Sequence, residues 1–145
     1  MEAAGGPSDY TLVWWDVRPH PRLGTVEVRE LDAQASLEDV SAIAALIQAL
    51  ARREAEAPAG DLPPSEAIAW GCFLAARDGF DAEVQHEGRR MPVRDAALEL
   101  AASLEVPEVA ELVLRGGGAR RRRDAHARGG VAEMLRDLVA ETAAG

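Results

Sequence analysis

The chain contains no lysine: all sixteen of its lysine-or-arginine side chains are arginine. That absence removes the phosphate lysine of a Walker-type loop and any Schiff-base lysine from the chemistry available here. Cysteine is almost as scarce. Cys72, the only one, cannot form an internal disulfide, and its apolar surroundings between Trp70 and Phe73 predict a buried helix position rather than a reactive thiol, which needs a polar, electropositive setting. Basic charge is in deficit, with 16 basic against 25 acidic residues and a net charge of -9. A polyanion backbone is therefore a poor partner, and no nucleic acid is expected. No run approaches the roughly 20 apolar residues that span a bilayer, and the first residues show no basic segment followed by an apolar one. The expectation is a cytoplasmic protein with no membrane association.

What is present suffices for one domain with a genuine core: 145 residues, 48% of them hydrophobic. Residues 1–8, rich in Gly, Ala and Pro, read as a disordered lead. Residues 10–18 are aromatic and β-branched enough to predict a strand, and 25–31 a second. The prolines and glycine of 19–24 connect them as an antiparallel hairpin. From Ser36 the hydrophobic period changes from two to 3.6, with Leu37, Val40, Ile43, Ala44, Ile47, Leu50 and Ala51 on one predicted helix face. Ser36 is its N-cap and Asp39 completes an S-x-x-D box. A polar linker over 54–61 leads to a helix capped by Ser65 and ending near Arg77 before Gly79. A short extended piece is expected at 82–85, and further helices at 93–104, 107–114 and 131–143. The class is α+β, an antiparallel hairpin followed by about five helices.

Alternation along the second strand puts Thr25, Glu27, Arg29 and Leu31 on one side and Val26 and Val28 on the other. Asp16 and Arg18 repeat the acid-plus-arginine spacing in the preceding strand, so a hairpin can gather both pairs on one polar surface. Carboxylates to hold Mg²⁺ and guanidiniums to neutralise a transferring phosphoryl group are the parts phosphoryl transfer needs. Cross-strand salt bridges on a solvated sheet face also account for the spacing, and by spacing alone are the stronger reading.

The string WWDVRPHPRLGTVEVRELD at 14–32 closely resembles the signature of the glutamate-cysteine ligase type 2 family, the YbdK-like carboxylate-amine ligases. AARDGFDAE at 75–83, GGGARRRR at 116–123 and VAEMLRDLVAET at 131–142 resemble later segments of the same family. The resemblance covers nearly all of the chain beyond Ser8. It implies a fold related to the catalytic sheet of glutamine synthetases and guanidino kinases, and residues 9–145 as the C-terminal part of that catalytic domain. It also implies an activity in which ATP phosphorylates a carboxylate and an amine displaces phosphate from the acyl phosphate. Glu27-Val28-Arg29 matches an E-x-R pair that in the related synthetases supplies a metal-binding glutamate and a phosphate-facing arginine. Asp16 is a second candidate metal ligand and Arg18 a second catalytic arginine. ATP, Mg²⁺ and amino-acid substrates with a carboxylate and an amine are the implied ligands. Family members carry an N-terminal G-x-E-x-E portion that this sequence does not include, so a truncated form, inactive alone, is expected. Homo-oligomerisation or association with such a portion is expected too, and a non-catalytic remnant or interaction subunit is the competing class.

Arg115, Arg120, Arg121, Arg122, Arg123 and Arg128 form a local basic patch beside Gly116 to Gly118. Arg121 is the candidate for nucleotide phosphate, with a solvated arginine-rich turn as the alternative. The three glycines match no phosphate-loop pattern. His20, His86 and His126 lack ligand spacing for zinc. At least one of Trp14 and Trp15 is expected to be packed.

Overall fold

The computed structural model describes residues 9–57, 60 and 63–144. The expected lead at 1–8 lies outside them, as do residues 58, 59 and 61 of the expected linker over 54–61, whose first three residues are helical instead. The chain divides into two units, one ending at Ala33 and the other beginning at Gln34.

The first unit is the expected hairpin in shortened form. Tyr10–Leu12 is a 3₁₀ turn rather than the start of a strand, with Asp9 accepting the Thr11 N–H at 2.9 Å. Such local bonds from Asp compete with strand geometry, which explains the late start. The strands are β1, Val17–His20, and β2, Thr25–Val28, paired antiparallel with Arg18 opposite Glu27 and Pro19 opposite Val26. Two backbone N–H groups, of Leu23 and Gly24, converge on the His20 carbonyl to close the turn. Trp14 and Trp15 are both exposed, against the expectation that one would be packed.

The second unit holds α1 (Leu37–Glu56), α2 (Ser65–Asp78), β3 (Glu83–His86), β4 (Arg89–Pro92), α3 (Val93–Ser103), α4 (Pro107–Leu114) and α5 (Gly117–Ala144). The α+β class stands. β3 realises the short extended piece, but β4 and the hairpin they form were not expected. Its signal was the two-residue turn Glu87-Gly88, where both residues adopt positive φ (48° and 74°), as a tight turn matched to strand twist requires. Helix α1 is capped as its sequence indicates, Ser36 Oγ accepting the Asp39 N–H at 3.2 Å. α2 is not capped by Ser65, which is its first helical residue behind Pro64.

The core is small. Ala101, Val106, Val109 and Val113 of the α3–α4 corner are buried, with Ala45, Leu46, Ala49, Phe80 and Leu98 packed on them. Among the described residues no buried hydrophobic side chain is larger than valine. α1 therefore meets the core with its alanine-rich side, Ala42, Ala45, Leu46 and Ala49, while Leu37 and Val40 of the predicted apolar stripe are exposed. Small residues let α1 approach α4 closely, so the alanine face wins that contact.

The arginine-rich segment is helical, so the turn that stood as its alternative reading is not formed: residues 117–128 form the first arm of α5. At Gly129 and Gly130 the backbone leaves helical geometry, Gly130 at φ 67°, ψ -161°, which only glycine adopts without strain. Beyond that break the chain folds back. Arg121 and Glu141, 20 residues apart, meet at 2.6 Å, whereas straight helix would part them by about 30 Å. Arg128 to Asp137, at 2.6 Å, closes the same helical hairpin near its bend.

Candidate functional site

The hairpin's pleat sorts its side chains. Arg18, His20, Thr25 and Glu27 take one face, and Val17, Pro19, Val26 and Val28 the other. Directly opposed across the strands, Arg18 and Glu27 make a two-point contact, Nε donating to Oε2 at 2.9 Å and Nη2 lying 2.6 Å from the same oxygen. Arg29, two residues beyond Glu27, brings Nε to 3.9 Å from the other carboxylate oxygen. Glu27 thus stands between two guanidiniums, as the shared-face reading anticipated. Each arginine is steadied by its surroundings. Arg18 donates to the Thr11 carbonyl at 3.2 Å and lies over the Tyr10 ring, and Arg29 lies over the Trp14 ring with its guanidinium carbon 5.2 Å from the centroid. These ring contacts hold planar cations in place without using their donors. Tyr10 in turn bonds His20, Oη to Nε2 at 2.7 Å. The Tyr10, Thr11 and Trp14 supports were not anticipated; the aromatic density at 10–15 was the available signal.

Asp16 joins the site through its backbone, the carbonyl accepting the Arg29 N–H at 2.8 Å. The acid-plus-arginine pairs are therefore not equivalent: one acid sits in the arginine row and the other tethers the strand that carries Arg29.

Glu27 is 44% exposed, so lone pairs remain open to solvent. The row of two guanidiniums and one carboxylate carries net +1, an arrangement that favours an anion, such as a phosphoryl or carboxylate group, over a bare cation. Among the described residues no three His, Cys, Asp or Glu side chains converge as a metal site. Mg²⁺ does not fit these residues as its sole holders, since the hairpin row contributes a single carboxylate.

Arg121 belongs to the other unit, in a different environment. Asp39, fully buried, receives Arg115 Nη2 at 2.8 Å and also Arg121, and Glu141 receives both Arg121 and Arg122. Burial by itself pushes the Asp39 carboxyl up. Hydrogen bonds from Arg121 and Arg115 outweigh that and hold it below its ordinary value. For Arg121, burial opposes the charge, and the bonds to Asp39 and Glu141 overcome it, so its proton is held more tightly than usual. The Nε and Nη1 atoms of Arg121 and Arg122 are buried without a partner. The network ties α1 to the end of α4 and to both arms of α5. Its centre, Asp39, was read from sequence only as a capping residue.

Cys72 is exposed on α2 rather than buried, as are Trp70 and Phe73 beside it. No helix among the described residues is long and apolar enough to cross a membrane.

The family model for glutamate-cysteine ligase family 2 matches residues 1–137. A protein of Rubrobacter xylanophilus named "Putative glutamate--cysteine ligase 2-3" is 38% identical over 97% of this chain and 42% of its own length. One from Thermobifida fusca, named "Putative glutamate--cysteine ligase 2", is 33% identical over 98% of this chain and 40% of its own length. The chain thus spans about two-fifths of the length of these relatives. With the arginine–glutamate row lying inside the matched segment, the chain belongs to glutamate-cysteine ligase family 2.

Proposed function

We propose that this chain is the C-terminal portion of an ATP-dependent carboxylate-amine ligase of the glutamate-cysteine ligase type, and that the Arg18–Glu27–Arg29 row is its contribution to the reaction. The observation that carries this reading is the row itself, a half-exposed carboxylate between two ring-supported guanidiniums within the family-matched segment. In the proposed reaction a substrate carboxylate oxygen attacks the γ-phosphorus of ATP and ADP leaves. The amine nitrogen then attacks the acyl carbon, loses a proton, and phosphate departs as the amide bond forms. Arg29 and Arg18 would neutralise oxygens of the transferring group, a role suited to fixed planar donors. Glu27 orients both arginines and is the carboxylate the row can offer to a Mg²⁺ ion accompanying the nucleotide, with Asp16 as a second acid near it in sequence. Arg121, with two donors unpartnered, is the nucleotide-phosphate candidate of the second unit.

ATP, Mg²⁺, and amino acids bearing the carboxylate and the amine are the proposed ligands, in a cytoplasmic setting and in an oligomer or with the remaining family portion. The relation to the glutamine synthetase and guanidino-kinase sheet belongs to the same proposal. A second reading, an interaction subunit without catalysis, is favoured by the exposure of Trp14, Trp15, Trp70 and Phe73.

The decisive experiment measures Mg²⁺-dependent ATP turnover, over a panel of amino acids, on this chain assembled with the rest of a family protein. Arg29→Lys keeps the charge but loses the fork. It should lower turnover by about 10² to 10³ in protein matched for melting temperature. Unchanged turnover would leave the row structural, and no turnover in any assembly would favour the interaction subunit.

A further inference from the structure

Helix α2 has a sequence suited to burial and a position that leaves it uncovered. From Ala67 to Ala76 it reads AIAWGCFLAA, ten residues without a charge. A helix apolar on all sides is ordinarily enclosed. Yet α2 has no buried residue, and Ile68, Trp70 and Phe73 are 46%, 60% and 51% exposed. Trp70 and Phe73, one turn apart, stack with centroids 5.3 Å apart, and Arg77 one turn further lies over the Phe73 ring at 5.6 Å. This ordered Trp–Phe–Arg ridge has the composition of interface hot spots, where rigid aromatic area is buried at little entropic cost.

What covers it is indicated by length. The relatives align with 97% and 98% of this chain, α2 included, but with only 42% and 40% of their own residues. Roughly three-fifths of the family polypeptide therefore has no counterpart among the residues that leave α2 bare. We infer that the Trp70–Phe73–Arg77 ridge of α2 is the docking surface for that remaining family portion. The inference rests on the ligase-family reading but concerns assembly, not chemistry. It assigns to α2 the task of joining the arginine–glutamate row to the rest of the enzyme.

The probe is the part of the Rubrobacter xylanophilus and Thermobifida fusca relatives that does not align with this chain, each made as a separate polypeptide and titrated against the chain by calorimetry. The chain should bind at least one of them. Trp70→Ala and Phe73→Ala should each weaken binding about tenfold or more, while Leu114→Ala, at an exposed position on α4, should leave it unchanged. Because Trp70 and Phe73 are exposed, circular dichroism of the variants should match the parent. Binding to neither polypeptide overturns the inference. So does binding indifferent to both substitutions, self-association that both abolish, or capture of the ridge by lipid vesicles alone. ATP turnover in the same mixtures separates the two claims. A complex that depends on Trp70 but turns nothing over leaves the docking surface standing and removes catalysis; turnover in a complex indifferent to Trp70 does the reverse.

Discussion

Among the described residues Glu27, Asp39 and Glu141 are each held by two arginines, and the first two sit in settings that give them opposite capacities. Glu27, on the hairpin between Arg18 and Arg29, is 44% exposed; Asp39, at the start of α1 between Arg115 and Arg121, is 0% exposed. The same ion-pair chemistry yields an exchangeable contact in the first case and a fastening in the second. Water competes for Glu27, so the carboxylate can yield its place to an arriving anion while Arg18 and Arg29, 16% and 29% exposed, stay held by their own neighbours. Nothing competes for Asp39, and removing it would take the buried partner from two guanidiniums, leaving the largely buried Arg121 only Glu141 and Arg115 only Glu38 at 3.5 Å. The contrast explains why the hairpin is the better candidate for chemistry even though the second unit holds the denser arginine cluster.

The strongest way to break that contrast is to remove the buried carboxylate. Asp39→Asn should destabilise the second unit by about 3 kcal/mol, at the lower end of the range for breaking a buried pair because Arg115 still reaches water. Chemical denaturation followed by circular dichroism measures it; a loss near zero would put Asp39 in the same class as Glu27.

Acid sharpens the comparison next. The folded Asp39 carboxyl sits below its ordinary value of 3.8, so the unfolded chain binds its proton first. Its contribution is complete above pH 3.8 and lost as pH falls through the lower folded value. The stability gap between the parent and Asp39→Asn should accordingly stay constant from neutral pH down to about that point and narrow below it. A gap already closing near pH 6 would show that the carboxylate is not held as described.

The smallest effect is expected at the hairpin. Glu27→Gln should change stability by under ~1 kcal/mol, since the Glu27 carboxylate is half-exposed and water and the retained amide can take its place beside the arginines. A larger loss in thermal melts would mean that the Arg18–Glu27 pair is a structural clamp, and the case for an exchangeable site would weaken.

Much of this could be read along the chain. Alternation in 25–31 placed Glu27 and Arg29 on one face, and the turn rich in proline and glycine indicated a hairpin, while the register that sets Arg18 opposite Glu27 came from the structure. Ser36 announced the start of α1, and Pro107 that of α4. The second hairpin was less legible, because Arg89–Pro92 is short, charged and ends in proline, and only Glu87-Gly88 marks it. The helix through Arg120 to Arg123 was obscured by flanking glycines, which suggested a loop where they in fact bound an arm.

What the sequence determined by itself was local: which residues take helical or extended backbone, where caps and turns fall, and which family the signature at 14–32 belongs to. Each depends on neighbours within a few positions, where steric and hydrogen-bond preferences act directly. Tertiary structure decided which faces are used. α1 turned its alanine side to the α3–α4 corner instead of its larger apolar stripe, because close approach of helices rewards small residues. Asp39 became the centre of an ion network, because partners 76 and 82 residues away came within hydrogen-bond reach. α2 stayed uncovered, because periodicity states that an apolar face needs a partner but only packing shows whether the partner is there.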